Sequence, residues 1–296
     1  MKQNNFQDNI LTGFFYFIIA IFGAVCFIPL WITLVASFTN ETTLLKEGYK
    51  LFVTNFDLMA YKMSFSSGSI LNAYGITIIT TVAGVLLTLI LTSSLSYPLT
   101  VKTLKYRNAI SLFAYATLLF SGGLVPTYIL YVKYLHLNNN LLVLIIPSAL
   151  NAYNMFIMVN YFKGIPESLS ESAKIDGANE IYIYIKIILP LSKPILATIA
   201  LFAAMGYWNE WFKVLMYINS KELYTLQFLL MRLQRQMDFL NSELGSKAIS
   251  GGVKIAVPST GIRMATAMIS IGPIILLYPF LQKYFLKGIM VGAVKG

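Results

Sequence analysis

Charge is what this sequence has least of. Asp, Glu, Lys and Arg make up 11% of its 296 residues, where a soluble domain carries about a quarter. That deficit argues against a water-soluble fold before any motif is read. Cysteine is nearly absent too. The single residue, Cys26, lies inside an apolar run, so no internal disulfide can form, and it reads as a small apolar side chain. The single histidine, His136, sits in a short polar segment from Tyr134 to Asn140. Alone, it can complete neither a metal site nor a Ser-His-Asp set, and it reads as a solvated or interfacial loop residue. A glycine-rich phosphate loop ending in Lys-Ser/Thr is also missing, so the chain is not expected to be an enzyme that hydrolyses ATP itself. Low-complexity linkers and short-period repeats are lacking, and residues 1–296 read as one transmembrane domain with its core at about 70–281.

What is present is apolar: 57% of the residues are hydrophobic and the mean hydropathy is +0.69. Six runs are long enough to cross a bilayer, which takes about 20 residues. They are 11–38, 70–97, 109–131, 141–162, 195–216 and 263–281. The first exceeds a signal-peptide core and lacks a small-residue cleavage site, so it reads as a retained span, with tilt or a bend near Pro29. The third contains Ser121, Gly122, Gly123 and Pro126, and the sixth contains Pro273 and Pro279. Such breakers survive in membrane helices whose freed backbone groups find partners in neighbouring helices. The second span carries Thr77, Thr80, Thr81, Thr88, Thr92, Ser93, Ser94 and Ser96, hydroxyls that suit close helix–helix packing. The expected fold is therefore all-α, a polytopic bundle of six transmembrane helices.

Six spans place both termini on one side. The 22 Lys and Arg divide evenly between the two faces, but the short connection 98–108, with Lys102, Lys105 and Arg107, favours termini inside. The net charge of +10 is scattered through short segments with no basic face, which argues against nucleic-acid binding. The longer outer segments are about 39–69 and 217–262. Within the second, residues 229–237 suit an amphipathic helix at the membrane surface.

The most informative stretch runs from Gly164 to Pro190. Pro166 suits a first helical turn and the acids after it suit a helix N-terminus. Gly177 follows as a C-cap. A second segment repeats apolar residues at Ile181, Ile185, Ile188 and Leu189, a helical spacing, and Pro190 and Pro194 close it. The reading is two short helices bent at a glycine, lying at the membrane face, a shape that could dock into a groove on a soluble partner.

Glu171, Ala173, Gly177, Ile187, Leu189 and Pro190 match the pattern Glu-Ala-Ala, three residues, Gly, nine residues, Ile-x-Leu-Pro. In this the sequence resembles the EAA loop of binding-protein-dependent ABC importer permeases, with Ser172 as a small departure at the second Ala position. The core from Lys174 through Asp176 and Gly177 to Ala178 is similar to that of carbohydrate permeases. Trp208-Asn-Glu-Trp-Phe212, the segments 262–267 and 278–285, and the tail 287–296 also resemble that family. The resemblance covers nearly the whole chain and is nearest the shorter permease of maltose-type systems, in the complex-oligosaccharide branch.

The resemblance implies a type I importer fold in a bacterial inner membrane, alternating access, and carbohydrate, notably oligosaccharide, as cargo. It implies a second, unlike permease, two ATP-binding subunits that hold ATP and Mg, and an external solute-binding protein. Glu171 would face a basic residue of the ATPase, Gly177 would permit the bend, and Gly288 to Gly296 would touch the same interface. No cofactor is expected on this chain. For the substrate path the polar and aromatic groups within spans are candidates: Tyr128, Asn151, Tyr153, Asn154, Trp208, Asn209 and Glu210. Aromatic faces stack on sugars, and amides and carboxylates bond their hydroxyls, though interhelical packing and interface anchoring account for the same residue types. The outer loop 232–258 is a candidate contact for the binding protein. A same-fold permease for another solute is the nearest alternative. An autonomous channel or carrier is the more distant one, since paired interrupted half-helices and runs of intramembrane charge are missing.

Overall fold

The computed structural model describes residues 6–66, 68–240, 242 and 260–275. Pro279, the tail from Gly288 to Gly296 and residues 243–259 of the outer loop lie outside the described residues. Among the described residues every regular element is helical, and the one extended feature is an antiparallel bridge between Thr39 and Phe56.

The chain divides into two compact units, one within Met1–Gly68 and Arg232–Gly272, the other within Ser69–Met231 and Pro273–Gly296. In the first, helix α1 (Phe6–Ser37) continues through Pro29 as one helix, and its apolar surface from Leu11 to Trp31 is exposed. Asn40 then starts α2 (Glu41–Glu47) by accepting from the Thr42 N–H at 3.0 Å, one of the orphan donors of a helix start. The other end of its amide donates to Asp57 at 2.8 Å, ahead of α3 (Met59–Ser66). Glu41 accepts from the backbone N–H groups of Thr260 and Gly261, both at 2.8 Å. These are the first residues of the apolar helix Thr260–Ile275, so a carboxylate sits at the positive end of that helix.

In the second unit α4 (Ser69–Ser96) is the central helix, packed against α8 (Ala152–Lys163) and α12 (Lys193–Trp208). Its buried face is made of hydroxyls and small residues: Ala73, Thr77, Thr80, Gly84, Thr88, Thr92, Ser93 and Ser96. Between helices in a bilayer the lipid is as apolar as leucine, so close approach matters more than hydrophobic burial; Ser96 donates across to the Met155 carbonyl of α8 at 3.1 Å, while Thr77 and Thr80 donate within α4. Of the eight hydroxyl residues expected in this role, Ser94 is exposed and Thr81 half-buried. Gly84 lets the ring of Tyr207 lie against the α4 backbone, where a Cβ would overlap it. The Tyr207 hydroxyl donates to the Ile145 carbonyl at 2.8 Å.

Two of the described helices are long and apolar enough to cross a membrane, and up to five crossings result if each bent pair counts as one. The third predicted run is not a straight span. It is α5 (Arg107–Leu119) and α6 (Leu124–Ile129, continuing to Tyr134) at 113°. The break falls at Ser121-Gly122-Gly123, where Gly123 has φ 83°, a backbone that glycine adopts without steric penalty. The fourth run bends by 46° between α7 (Leu142–Ile145, continuing to Ser148) and α8. The fifth stops at Trp208 and resumes as α13 (Phe212–Tyr217). The amphipathic stretch is helical, as part of α14 (Leu226–Leu240). His136 and Asn139 both have positive φ, and the loop that carries them is not merely solvated. Asn139 Oδ1 accepts from the N–H groups of Asn219 at 3.0 Å and Ser220 at 2.9 Å, and its own N–H donates to the Tyr217 carbonyl.

Candidate coupling site

The segment 164–190 folds as two helices around a glycine turn. Pro166 stands just before α9 (Glu167–Ile175), whose first turn carries Glu167. At the far end Gly177, φ 83°, donates to the Lys174 carbonyl at 3.0 Å, and Ala178 donates to Ala173 at 2.9 Å. That pair of bonds is a Schellman closure, which satisfies helix-end carbonyls and needs a left-handed residue. Asp176 is the exposed C-cap. Asn179 then caps α10 (Glu180–Ile183) by accepting from the Tyr182 N–H at 2.8 Å. The chain continues as a π turn (Tyr184–Ile188) and α11 (Leu189–Leu191), and bends by 78° into α12 at Ser192.

This segment has an inner and an outer face. Ala173, Ala178 and Ile187 pack on a cluster that includes Tyr97, Met158, Phe162, Ile183 and Ile188. Leu189 is half-buried. Glu171, Ser172 and Pro190 are exposed. Of the expected apolar stripe Ile188 is buried and Leu189 half-buried, but Ile181 and Ile185 are exposed and Ile183 is buried instead. The π turn explains the shift, because its i→i+5 bond, from Leu189 N–H to Tyr184, inserts an extra residue into the helical repeat.

Two residues that sequence reasoning did not single out, Tyr97 and Glu180, tie the segment to the bundle. Glu180 accepts from the Tyr97 hydroxyl at 2.6 Å and pairs with Lys174 at 2.6 Å. The Lys174 ammonium first, and the Tyr97 hydroxyl second, hold the Glu180 carboxyl below the usual glutamate range. Lys174 and Glu180 lie within the recognised motif, but nothing linear relates Glu180 to Tyr97. Lys102 also reaches Glu167 at 2.7 Å.

The proposed path residues gather at other places in the same unit. Asn151 caps α8, accepting from Tyr153 N–H at 2.8 Å and Asn154 N–H at 3.4 Å. Tyr153 is exposed and Asn154 buried. Trp208 is buried with its ring edge-on to Tyr74. Asn209 closes α12, its amide donating to Met205 at 2.9 Å. Glu210 is expected near the outer end with cheap solvation, but its side chain is only 15% exposed. It is ion-paired with Lys213 and accepts from that residue's N–H at 2.9 Å. Lys213 also donates to Ser148 at 2.8 Å, which sets the Glu210 turn beside the segment leading to Asn151. Tyr128 stacks on Tyr217 with ring centroids 5.6 Å apart. Glu210 thus has a bracing role already; a buried charge is tolerated because it is paired.

Residues 1–291 match the family model described as binding-protein-dependent transport system inner membrane component. The chain belongs to this family. Protein LplC of Bacillus subtilis is 40% identical over 274 residues, covering 93% of this permease and 91% of LplC. A polygalacturonan/rhamnogalacturonan transport system permease of the same organism, YtcP, is 36% identical over 294 residues, covering 99% and 100% of the two chains. Among solved structures, a bacterial ABC transporter involved in the import of the acidic polysaccharide alginate superposes with a TM-score of 0.81 at 27% identity, covering 96% of this permease and all of the matched chain. The permease is thus a non-enzymatic, multi-pass membrane subunit of a transport assembly whose ATPase is a separate subunit.

Proposed function

We propose that this permease carries an oligosaccharide into the cytoplasm by alternating access, driven through the α9–turn–α10 segment by ATPase subunits that grip it. The observation behind this reading is the two-faced seating of that segment. Ala173, Ala178 and Ile187 anchor one face on the bundle, while Glu171 is left exposed on α9. A short helix fixed on one side and acidic on the other can transmit a push from a partner's groove to the helices behind it. Ser172, Asp176 and Gly177 lie on the same exposed stretch, and the Schellman turn keeps its shape. ATP and Mg belong to two partner subunits, and this chain holds no cofactor. A second, unlike permease and an external solute-binding protein complete the assembly. Both termini and the coupling segment face the cytoplasm of a bacterial cell. Tyr128, Asn151, Tyr153, Asn154, Trp208, Asn209 and Glu210 are the proposed substrate contacts.

The relatives' names support carbohydrate as the cargo, since they include permeases for arabinooligosaccharides and for melibiose, raffinose and stachyose. A narrower reading, uronate-rich oligosaccharides, is favoured by two matches named for acidic polymers, polygalacturonan and alginate.

The test is a pull-down of the tagged chain from its native membranes in mild detergent, for wild type and Glu171→Lys. Wild type is expected to bring down an ATPase and a second permease, and the variant to lose the ATPase. Equal ATPase recovery from both would sink the coupling role of Glu171. Recovery of no ATPase by wild type would favour an autonomous carrier. Uptake of neutral against uronate-containing oligosaccharides by cells with and without the permease decides the cargo.

A further inference from the structure

Beside the α9–turn–α10 segment lies a cavity of about 430 Å³ lined by Lys102, Arg107, Lys163 and Lys174 and by Glu167, Glu171 and Glu180. Lys102 and Lys174 are already engaged, by Glu167 at 2.7 Å and Glu180 at 2.6 Å. Arg107, at the start of α5, and Lys163, at the end of α8, line the same cavity and make no ion pair among the described residues. Arg107 is half-buried. Lys163 is exposed, and the planar fork of a guanidinium matches a phosphate or carboxylate. The remaining lining carboxylate, Glu171, is the group assigned above to the ATPase.

A second cavity, of about 460 Å³, adjoins the first. The two share Tyr97, Val101, Thr103 and Glu180 as lining. The rest of the second lining is largely apolar, with Pro98, Leu104, Ile181 and Tyr184 beside Ser94 and Lys105. Ile181, in the first turn of α10, is 69% exposed in the chain, an apolar side chain without cover. A cavity with two cations left over from its ion pairs, joined to an apolar one, fits a ligand that carries a phosphate next to a hydrocarbon chain. Free phosphate would satisfy Arg107 and Lys163 but leave the apolar half empty.

We propose that these joined cavities bind an anionic phospholipid of the cytoplasmic leaflet, its phosphate at Arg107 and Lys163 and an acyl chain along Pro98, Leu104 and Ile181. The proposal rests on the reading that this face is cytoplasmic, where anionic lipid attracts basic pockets between helices. Because Tyr97 and Glu180 form the wall between the two cavities, the lipid would brace the post that holds the coupling segment.

The experiment uses the full chain with whatever subunits co-purify, in nanodiscs of phosphatidylcholine and phosphatidylglycerol in equal parts. Lipid retained after transfer to detergent is measured by native mass spectrometry. Wild type is expected to retain phosphatidylglycerol several-fold over its bulk share. Arg107→Ala/Lys163→Ala is expected to lose that enrichment, Arg107→Lys to keep most of it, and Ile181→Ser to reduce it. Size-exclusion profiles identify any variant that has not folded. No enrichment in wild type, or equal enrichment in the double variant, overturns the proposal. Displacement of the lipid by millimolar inorganic phosphate would mark a free-anion site and also overturns it. Loss of the ATPase from the double variant would assign the cavity to subunit docking instead. Glu171→Lys separates the two readings: it is expected to shed the ATPase and keep the lipid.

Discussion

The Tyr97 hydroxyl donates to Glu180 across 2.6 Å, joining the end of α4 to the start of α10 over 83 positions of chain. The same carboxylate takes Lys174 from α9 at 2.6 Å. One acid thus ties the helix pair of the coupling segment to the central helix of its unit.

The two bonds differ in weight. Tyr97 is buried, and a hydrogen bond to a charged group contributes about 1.5–3 kcal/mol. Lys174 and Glu180 are both nearly half exposed, and such pairs contribute about 0–1 kcal/mol. Tyr97→Phe is therefore expected to lower the thermal unfolding midpoint more than Lys174→Ala, measured on purified protein in one detergent. The reverse order would show that the tie is ionic.

The acid dependence has a definite sign. Lys174 and Tyr97 hold the Glu180 carboxyl below its ordinary range, so its contribution is complete above the unfolded-state value and is lost as pH falls through the lower folded-state value. The gap in unfolding midpoint between wild type and Glu180→Gln should be constant near neutrality and shrink in acid. A gap that widened on acidification would contradict the assignment.

Gly84 is required by the Tyr207 ring. The ring is buried and its hydroxyl is held by the Ile145 carbonyl at 2.8 Å, so it cannot swing away freely from a new methyl group. Gly84→Ala is expected to destabilise by about 1–3 kcal/mol, the usual range for overpacking. Adding Tyr207→Leu should recover part of that loss. A double variant no better than the sum of the singles would refute the steric explanation, and thermal midpoints supply the comparison.

Asn139 does two jobs, adopting positive φ and stapling its loop through its side chain to residues 219 and 220. Asn139→Gly keeps the first and loses the second; Asn139→Ala loses both and adds about 1 kcal/mol of left-handed strain. Limited proteolysis of the 134–140 loop should therefore rank alanine fastest, glycine next and wild type slowest. Equal rates would mean that the staple carries no load.

Much of the coupling segment was legible in its residues, since its geometry is built from local bonds. A glycine after a short acidic helix closes a Schellman turn through carbonyls three to five positions back, and an asparagine two positions later caps the next helix. Such signals need no knowledge of what lies across the fold. The first half of the second helix's stripe, Ile181 and Ile185, was misread, because a helical repeat assumes a constant period and the π turn at Tyr184–Ile188 changes it. The third run was expected as one span for a similar reason. Hydropathy averages over Ser121, Gly122 and Gly123, whereas the backbone turns by 113° there.

The sequence by itself determined the membrane class, the helical content, the two-helix shape of segment 164–190 and the family, all properties of composition, local hydrogen bonding or fixed spacing. The tertiary structure alone decided that Glu180 answers to Tyr97, that Glu210 is neutralised by Lys213, that Tyr207 needs Gly84, and that Arg107 and Lys163 line one cavity. Each of these, except the i,i+3 pair of Glu210 and Lys213, joins residues far apart in the chain. Even for that pair the burial of both charges comes from neighbouring helices. Such contacts depend on how helices are placed in space, which neither residue periodicity nor motif spacing encodes.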